Sequence, residues 1–160
     1  MKIGVIIIFR NNEFSISTKT IIKQIKATKT IKFCFVDNYS KDLTLRLLYE
    51  IKEDCEEEVE VVEIKKVASE SMAKRAGVRY LINAYDLKYI GFLSLESLQE
   101  NSQSLNAVLE YLIEDERFIN QIKDSLQKNR EVKNQLKSVF SIIDSIKDKT
   151  EIYQSLRLSV

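Results

Sequence analysis

Lys2–Phe9, KIGVIIIF, is a nearly unbroken run of β-branched and other apolar residues. A strand with one wet face alternates apolar and polar residues, whereas a strand buried on both faces does not. Continuous runs of this kind belong to parallel sheets covered by helices on each side. Ile3–Phe9 is the longest apolar stretch in the chain. It is too short to span a bilayer, and a single lysine precedes it instead of a charged signal region. The chain is therefore expected to be cytosolic.

Working outward, the polar turn RNNE (Arg10–Glu13) leads into Ser15–Ala27, where Ile16, Ile21, Ile22 and Ile25 have helical spacing and Lys19, Lys23 and Lys26 take the other side. A second buried strand, IKFCFV (Ile31–Val36), stops at the turn DNYSKD. TLRLLYEI (Thr44–Ile51) has a helical pattern, and Asp42 is placed to cap it by accepting hydrogen bonds from free N–H groups. VEVVEIK (Val59–Lys65) alternates and so belongs nearer an edge. Ser71–Asn83 is helical in pattern, and YIGFL (Tyr89–Leu93) is a fourth strand. Strands alternating with helix-length connections predict an α/β fold, a mostly parallel sheet of about four strands with flanking helices. Ligands gather at the carboxyl ends of such strands. The turns after strands one, two and four are thus the places to look for function.

Beyond Glu100 no further strand is predicted. Leu105, Val108, Leu109, Leu112 and Ile113 form one amphipathic stripe, and Leu136, Val139, Phe140, Ile143 and Ile146 form another. Asp124–Glu131, with Leu126 as its sole apolar residue, is expected to be a turn or a solvent-spanning segment. The division is an α/β domain over 1–119 and a helical tail over 120–160, which packs on that domain or forms a homodimer contact.

Composition excludes much chemistry. The 160 residues hold no histidine, proline or tryptophan, two cysteines and three glycines. Catalysis by Ser-His-Asp or Cys-His arrangements and His-ligated zinc are ruled out. Gly4, Gly77 and Gly91 stand too far apart for a Gly-rich phosphate loop. Cys34 and Cys55 are expected to be reduced thiols. The formal net charge is +1, but seven bases and one acid fall between Lys2 and Phe33, against eight acids and one base between Glu50 and Glu63. These blocks place fields of opposite sign on different faces. No basic stretch is interleaved with aromatics, so nucleic acid is not an expected partner.

VIIIFRNNE (Val5–Glu13) resembles the opening strand and turn of family 2 glycosyltransferases of the GT-A fold, V-I-I-P-T-Y-N-x-E. VDNYSKDLT (Val36–Thr44) is similar to that family's V-D-D/N-G-S-x-D-G-T turn. AKRAGV (Ala73–Val78) resembles its A-R-N-x-G-I segment, and YIGFLSLES (Tyr89–Ser97) its Y-I-x-F-L-D-x-D-D strand and metal motif. SLNAVLEYLIEDERF (Ser104–Phe118) resembles the helix that follows. The resemblance implies a domain that binds a nucleoside-diphosphate sugar, UDP- or GDP-linked, and transfers the sugar to an acceptor. It implies that Asn11 and Glu13 line the nucleotide pocket, that Asp37 hydrogen-bonds the base or ribose, and that Lys74 lies near the phosphates. Asn38, Ser40 and Ser94 complete the implied binding set. Glu96 stands where the last Asp of the metal motif holds Mg²⁺ or Mn²⁺ against the departing diphosphate.

Ser94 takes the place of the first Asp of that motif, Ile8 that of the proline, and Tyr39 and Leu43 those of turn glycines. By this resemblance the acceptor half of the family is not expected within these residues, and a base would come from Asp115, Glu116 or a partner subunit. The competing expectation is a degenerate, inactive member serving as a binding or oligomerisation module. A receiver-like domain phosphorylated at Asp37 would need a pair of acids after strand one, and Arg10-Asn11-Asn12 does not supply it.

Overall fold

The computed structural model describes residues 3–28, 30–87, 89–100, 104–114 and 138–142. Five strands form one sheet: β1 (Ile3–Phe9), β2 (Ile31–Asn38), β3 (Val59–Ile64), β4 (Tyr89–Ser94) and β5 (Ser138–Ser141). Their order is β3-β2-β1-β4-β5, and every pairing is parallel. The strand that begins the chain is the middle of the sheet, with all seven residues buried. Val5, Ile7 and Phe9 face one core while Ile6 and Ile8 face the other. That two-sided burial is the physical reason for its unbroken apolar run. β3, the alternating strand, lies at the edge as expected.

The helices are α1 (Thr18–Lys26), α2 (Thr44–Asp54), α3 (Glu70–Ala84), α4 (Leu95–Glu100) and α5 (Leu105–Glu114), with one 3₁₀ turn at Glu13–Ser15. The chain steps outward from β1 to β2 to β3, then returns across the sheet to β4. Under the right-handed crossover rule, opposite directions of travel demand opposite faces. Accordingly, Ile21 and Ile25 of α1 and Leu48 and Ile51 of α2 pack on the face bearing Phe33 and Phe35, whereas Ala73 and Leu81 of α3 pack on the face bearing Cys34 and Val36. α4 and α5 join the first face through Leu98, Leu105 and Leu109. Phe9 and Phe35 meet edge to face with ring centroids 5.3 Å apart, a geometry the ring quadrupoles favour.

Gly77 serves packing. A Cβ on Gly77 would stand 2.8 Å from Cγ2 of Ile6 and 3.1 Å from Cγ2 of Val36, so its absence lets α3 lie close on the sheet.

One expected helix is corrected. Val139 and Phe140 lie in β5, where Ser138 pairs with Tyr89 and Ser141 with Phe92. A helical period is present around them, but the open edge of β4 offers a row of backbone donors and acceptors that an adjacent strand satisfies. A β-branched and an aromatic residue between serines suit that role. The expected turn at Asp124–Glu131 and the rest of the 120–160 tail lie outside the described residues. Among the described residues, no helix is long and apolar enough to cross a membrane.

Candidate functional site

Strand order reverses at β1, whose two neighbours are β2 on one side and β4 on the other. At the carboxyl ends of these three strands a cleft of about 500 Å³ opens, lined by Ile8–Asn12, Asn38, Ala68, Glu70, Ser94, Glu96 and Gln99. A crevice at such a reversal is where open α/β sheets bind ligands, and this volume is in the range of small-molecule sites.

One wall is built by two turns that bind each other. In the β1 turn, Arg10 N–H donates to Oδ1 of Asn12 at 2.6 Å. Asn11 N–H donates to Oγ of Ser40 at 3.0 Å, Asn12 N–H to Oγ1 of Thr44 at 2.7 Å and Glu13 N–H to Oδ2 of Asp42 at 3.2 Å. The β2 turn returns the bonds: Lys41 N–H donates to Oδ1 of Asn11 at 2.8 Å and Leu43 N–H to Oε2 of Glu13 at 2.9 Å. Within the β2 turn, Ser40 N–H donates to Oδ2 of Asp37 and Thr44 N–H to Oδ1 of Asp42. Asn11 and Tyr39 carry the two turns through left-handed backbone, with φ of 51° and 60°. Asparagine tolerates that region. Tyr39 stands where the resembled turn has glycine, and the Lys41 ammonium lies 3.6 Å from its ring centroid.

Asp42 is the turn's electrostatic anchor. Burial alone would push its carboxyl up, but hydrogen bonds from the Thr44 hydroxyl and from the Thr44 and Glu13 N–H groups outweigh it and hold the group below its usual 3.8. The expected capping role is thus observed as a bond to Thr44, with Leu43 occupying the N-cap position itself.

The opposite wall comes from α3 and the β4 end. Ser94 accepts the Ser97 N–H at 3.2 Å, capping α4. Its hydroxyl donates to Oε2 of Glu70 at 2.8 Å, and Oγ of Ser97 lies 2.8 Å from Oγ of Ser94. Between the walls, Asn38 clamps the loop before α3, with Nδ2 donating to the Ala68 carbonyl at 2.8 Å and Oδ1 accepting the Ala68 N–H at 2.9 Å.

Of the residues singled out from sequence, Asn11, Asn38, Ser94 and Glu96 line the cleft. Glu13 and Ser40 are engaged in the bonds between turns. Asp37 lies beneath them with 1% of its surface exposed, its Oδ1 without a hydrogen-bond partner among the described residues. Lys74 projects from α3 over the Phe92 ring, its ammonium 4.3 Å from the centroid, and does not line the cleft. Asp115 and Glu116 lie outside the described residues. Sequence reasoning missed Glu70 and Gln99. Ser69, whose hydroxyl accepts the Met72 N–H, caps α3. That Ser-Glu pair after the β3 loop was the available signal for Glu70, because a helix start there sits at the carboxyl edge of the sheet.

Among the described residues, no group of three or more acidic or thiol side chains is placed to hold a metal ion. The donors present are carboxylates, Glu70 and Glu96, on one cleft. Such a set suits a hard cation that takes one or two carboxylates and draws its remaining ligands from substrate phosphates and water.

No protein-family model and no curated protein matches the chain. Among solved structures, it is similar to S. aureus TarS 1–349, at 14% identity and a TM-score of 0.46 over 64% of this chain and 31% of that one. It is likewise similar to TarS 1–349 in complex with UDP, at 16% identity and a TM-score of 0.47, and in complex with UDP-GlcNAc, at 15% and 0.43. The chain spans about a third of the length of these structures.

Proposed function

We propose that the cleft binds a nucleoside-diphosphate sugar, UDP- or GDP-linked, and that the chain is the donor-binding unit of a GT-A-like glycosyltransferase. The observation that carries this reading is the convergence of three motif-bearing turns, RNNE, DNYSKD and SLES, on one crevice where strand order reverses. Arg10 would offer a guanidinium to phosphate oxygens and Asn11 its amide nitrogen to hydroxyl groups, while Asn38 holds the cleft wall through Ala68 and buried Asp37, with one unpartnered carboxylate oxygen among the described residues, supports the turns from beneath. Glu96 would hold Mg²⁺ or Mn²⁺, with Glu70 as the second carboxylate of the cleft. When bound, the cation would neutralise charge on the departing nucleoside diphosphate.

Calorimetric titration with UDP- and GDP-sugars, with and without Mn²⁺, tests the reading. Metal-dependent binding that weakens in Glu96→Ala and in Asp37→Ala is expected. No binding of any donor in the presence of metal would overturn it. A second reading, a degenerate module without activity, is favoured by Ser94: the residue at the first metal-motif position is spent on capping α4 and on Glu70. It predicts that negative titration, together with self-association of the full chain.

A further inference from the structure

The rim beside the two joined turns carries apolar groups that the fold does not use. Phe14, in the 3₁₀ turn, is 98% exposed, and Leu43, at the start of α2, is 55% exposed. The bond from Leu43 N–H to the carboxylate of Glu13 fixes these two residues on one rim. Full burial of a Phe or Leu side chain stabilises a fold by about 1.5–3 kcal/mol, and Phe14 contributes none of that here. Two exposed cations belong to the same two turns, Arg10, which also lines the cleft, and Lys41, whose ammonium lies over the Tyr39 ring. The acids on the same rim, Glu13 and Asp42, are turned into backbone N–H groups.

α1 begins four residues after Phe14. Its buried side is Ile21 and Ile25, and Lys19, Lys23 and Lys26 are all exposed. At 100° per residue these lysines fall in one narrow stripe opposite the core, and at 1.5 Å per residue the stripe is about 10 Å long. None of the three is in an ion pair among the described residues. The stripe thus follows the apolar tip directly in the chain, a cationic helix face whose Lys26 end lies near Cys55 and the acids Asp54 and Glu58. α1 itself cannot insert into a membrane, because its apolar side belongs to the core. What remains is peripheral contact: lysines at headgroup level and two side chains that enter the interface.

We propose that this surface docks the protein on an anionic lipid bilayer. Charge complementarity selects the occupant. Separate ammonium groups suit a diffuse layer of anionic headgroups, each worth about a fivefold gain in binding near the surface, and the exposed phenyl ring reaches hydrocarbon that a nucleic-acid backbone does not offer. This docking is independent of donor binding in the cleft.

The test is co-sedimentation of the full chain with phosphatidylcholine vesicles, with and without phosphatidylserine, across a salt series. Retention on the anionic vesicles alone, weakening as salt rises, is expected. The triple variant Lys19→Gln, Lys23→Gln, Lys26→Gln should bind about a hundredfold more weakly. Phe14→Ser should lose about tenfold, the size expected for a side chain only partly withdrawn from water. All four positions are exposed, and unchanged circular dichroism checks that the variants fold. Absence of binding to anionic vesicles at low salt overturns the proposal. So does vesicle binding that Phe14→Ser leaves intact while heparin displaces it, which marks a general polyanion site. Self-association abolished by Phe14→Ser, without vesicle binding, assigns the tip to a second copy of the chain and also overturns it.

Discussion

Replacing Thr44 by valine removes one oxygen from the centre of the two joined turns and leaves the shape of the side chain nearly unchanged. Thr44 is fully buried, and its hydroxyl accepts the Asn12 N–H at 2.7 Å while donating to the carboxylate of Asp42. In Thr44→Val the buried Asn12 N–H loses its acceptor, which costs about 1–3 kcal/mol. The bond to Asp42 is worth less than a buried charged bond, because that carboxylate is partly exposed and water replaces the hydroxyl. The added methyl recovers about 0.8 kcal/mol of apolar burial. A net loss of about 1–2 kcal/mol follows from these magnitudes. With a urea m-value of about 2 kcal/mol/M, the midpoint should fall by about 0.5–1 M. Thr44→Ser supplies the contrast, since it keeps the acceptor and deletes a methyl. Both variants lose stability, so amide hydrogen exchange at Asn12 decides between the causes: protection should drop in Thr44→Val and persist in Thr44→Ser. A Thr44→Val midpoint equal to that of the parent, or an Asn12 amide that stays protected in it, refutes the idea that this hydroxyl joins the turns.

Two further outcomes follow. Because the folded-state pKa of Asp42 is depressed, the stability it contributes is present above its unfolded value near 3.8 and is lost as pH falls through the lower folded value. Urea unfolding measured from neutral pH downward should therefore show a steeper acid limb in the parent than in Asp42→Asn, and equal limbs would count against the assignment. On the other face, Gly77→Ala sets a methyl against Ile6. Overpacking costs about 1–3 kcal/mol and the helix-propensity gain returns about 1 kcal/mol, so a net loss is expected. In an Ile6→Ala background the same substitution should become stabilising, and a double-mutant cycle without coupling would show that α3 does not rest on that contact.

The fold was legible wherever burial writes a pattern into the chain. Ile3–Phe9 announced a central strand because both of its faces are covered, and Val59–Ile64 announced an edge because one side stays wetter. Ser138–Ser141 was not legible: Val139 and Phe140 satisfy a helical period equally well, and the free edge of β4 that recruits them is a tertiary fact. The position of the site followed from strand ends, but its membership did not. Whether Glu13 faces a ligand or the N–H of Leu43 depends on a partner thirty residues away, and no local pattern encodes that choice. Glu70 entered the cleft by way of a loop after β3, the edge strand whose turn carried no motif.

The joined turns have an electrostatic consequence for any anion that approaches them. Eight backbone N–H groups, those of Arg10, Asn11, Asn12, Glu13, Ser40, Lys41, Leu43 and Thr44, are already donated to side-chain oxygens. A glycine-rich loop leaves such groups pointing outward as a nest that cradles phosphate. Here that nest is filled by the protein's own carboxylates, amides and hydroxyls. On the proposed reading, a diphosphate in this cleft would be met by mobile charge, the Arg10 guanidinium and any divalent cation held at Glu96, in place of fixed main-chain dipoles. Affinity for it should therefore follow ionic strength and divalent-ion supply more steeply than in a site built on backbone donors.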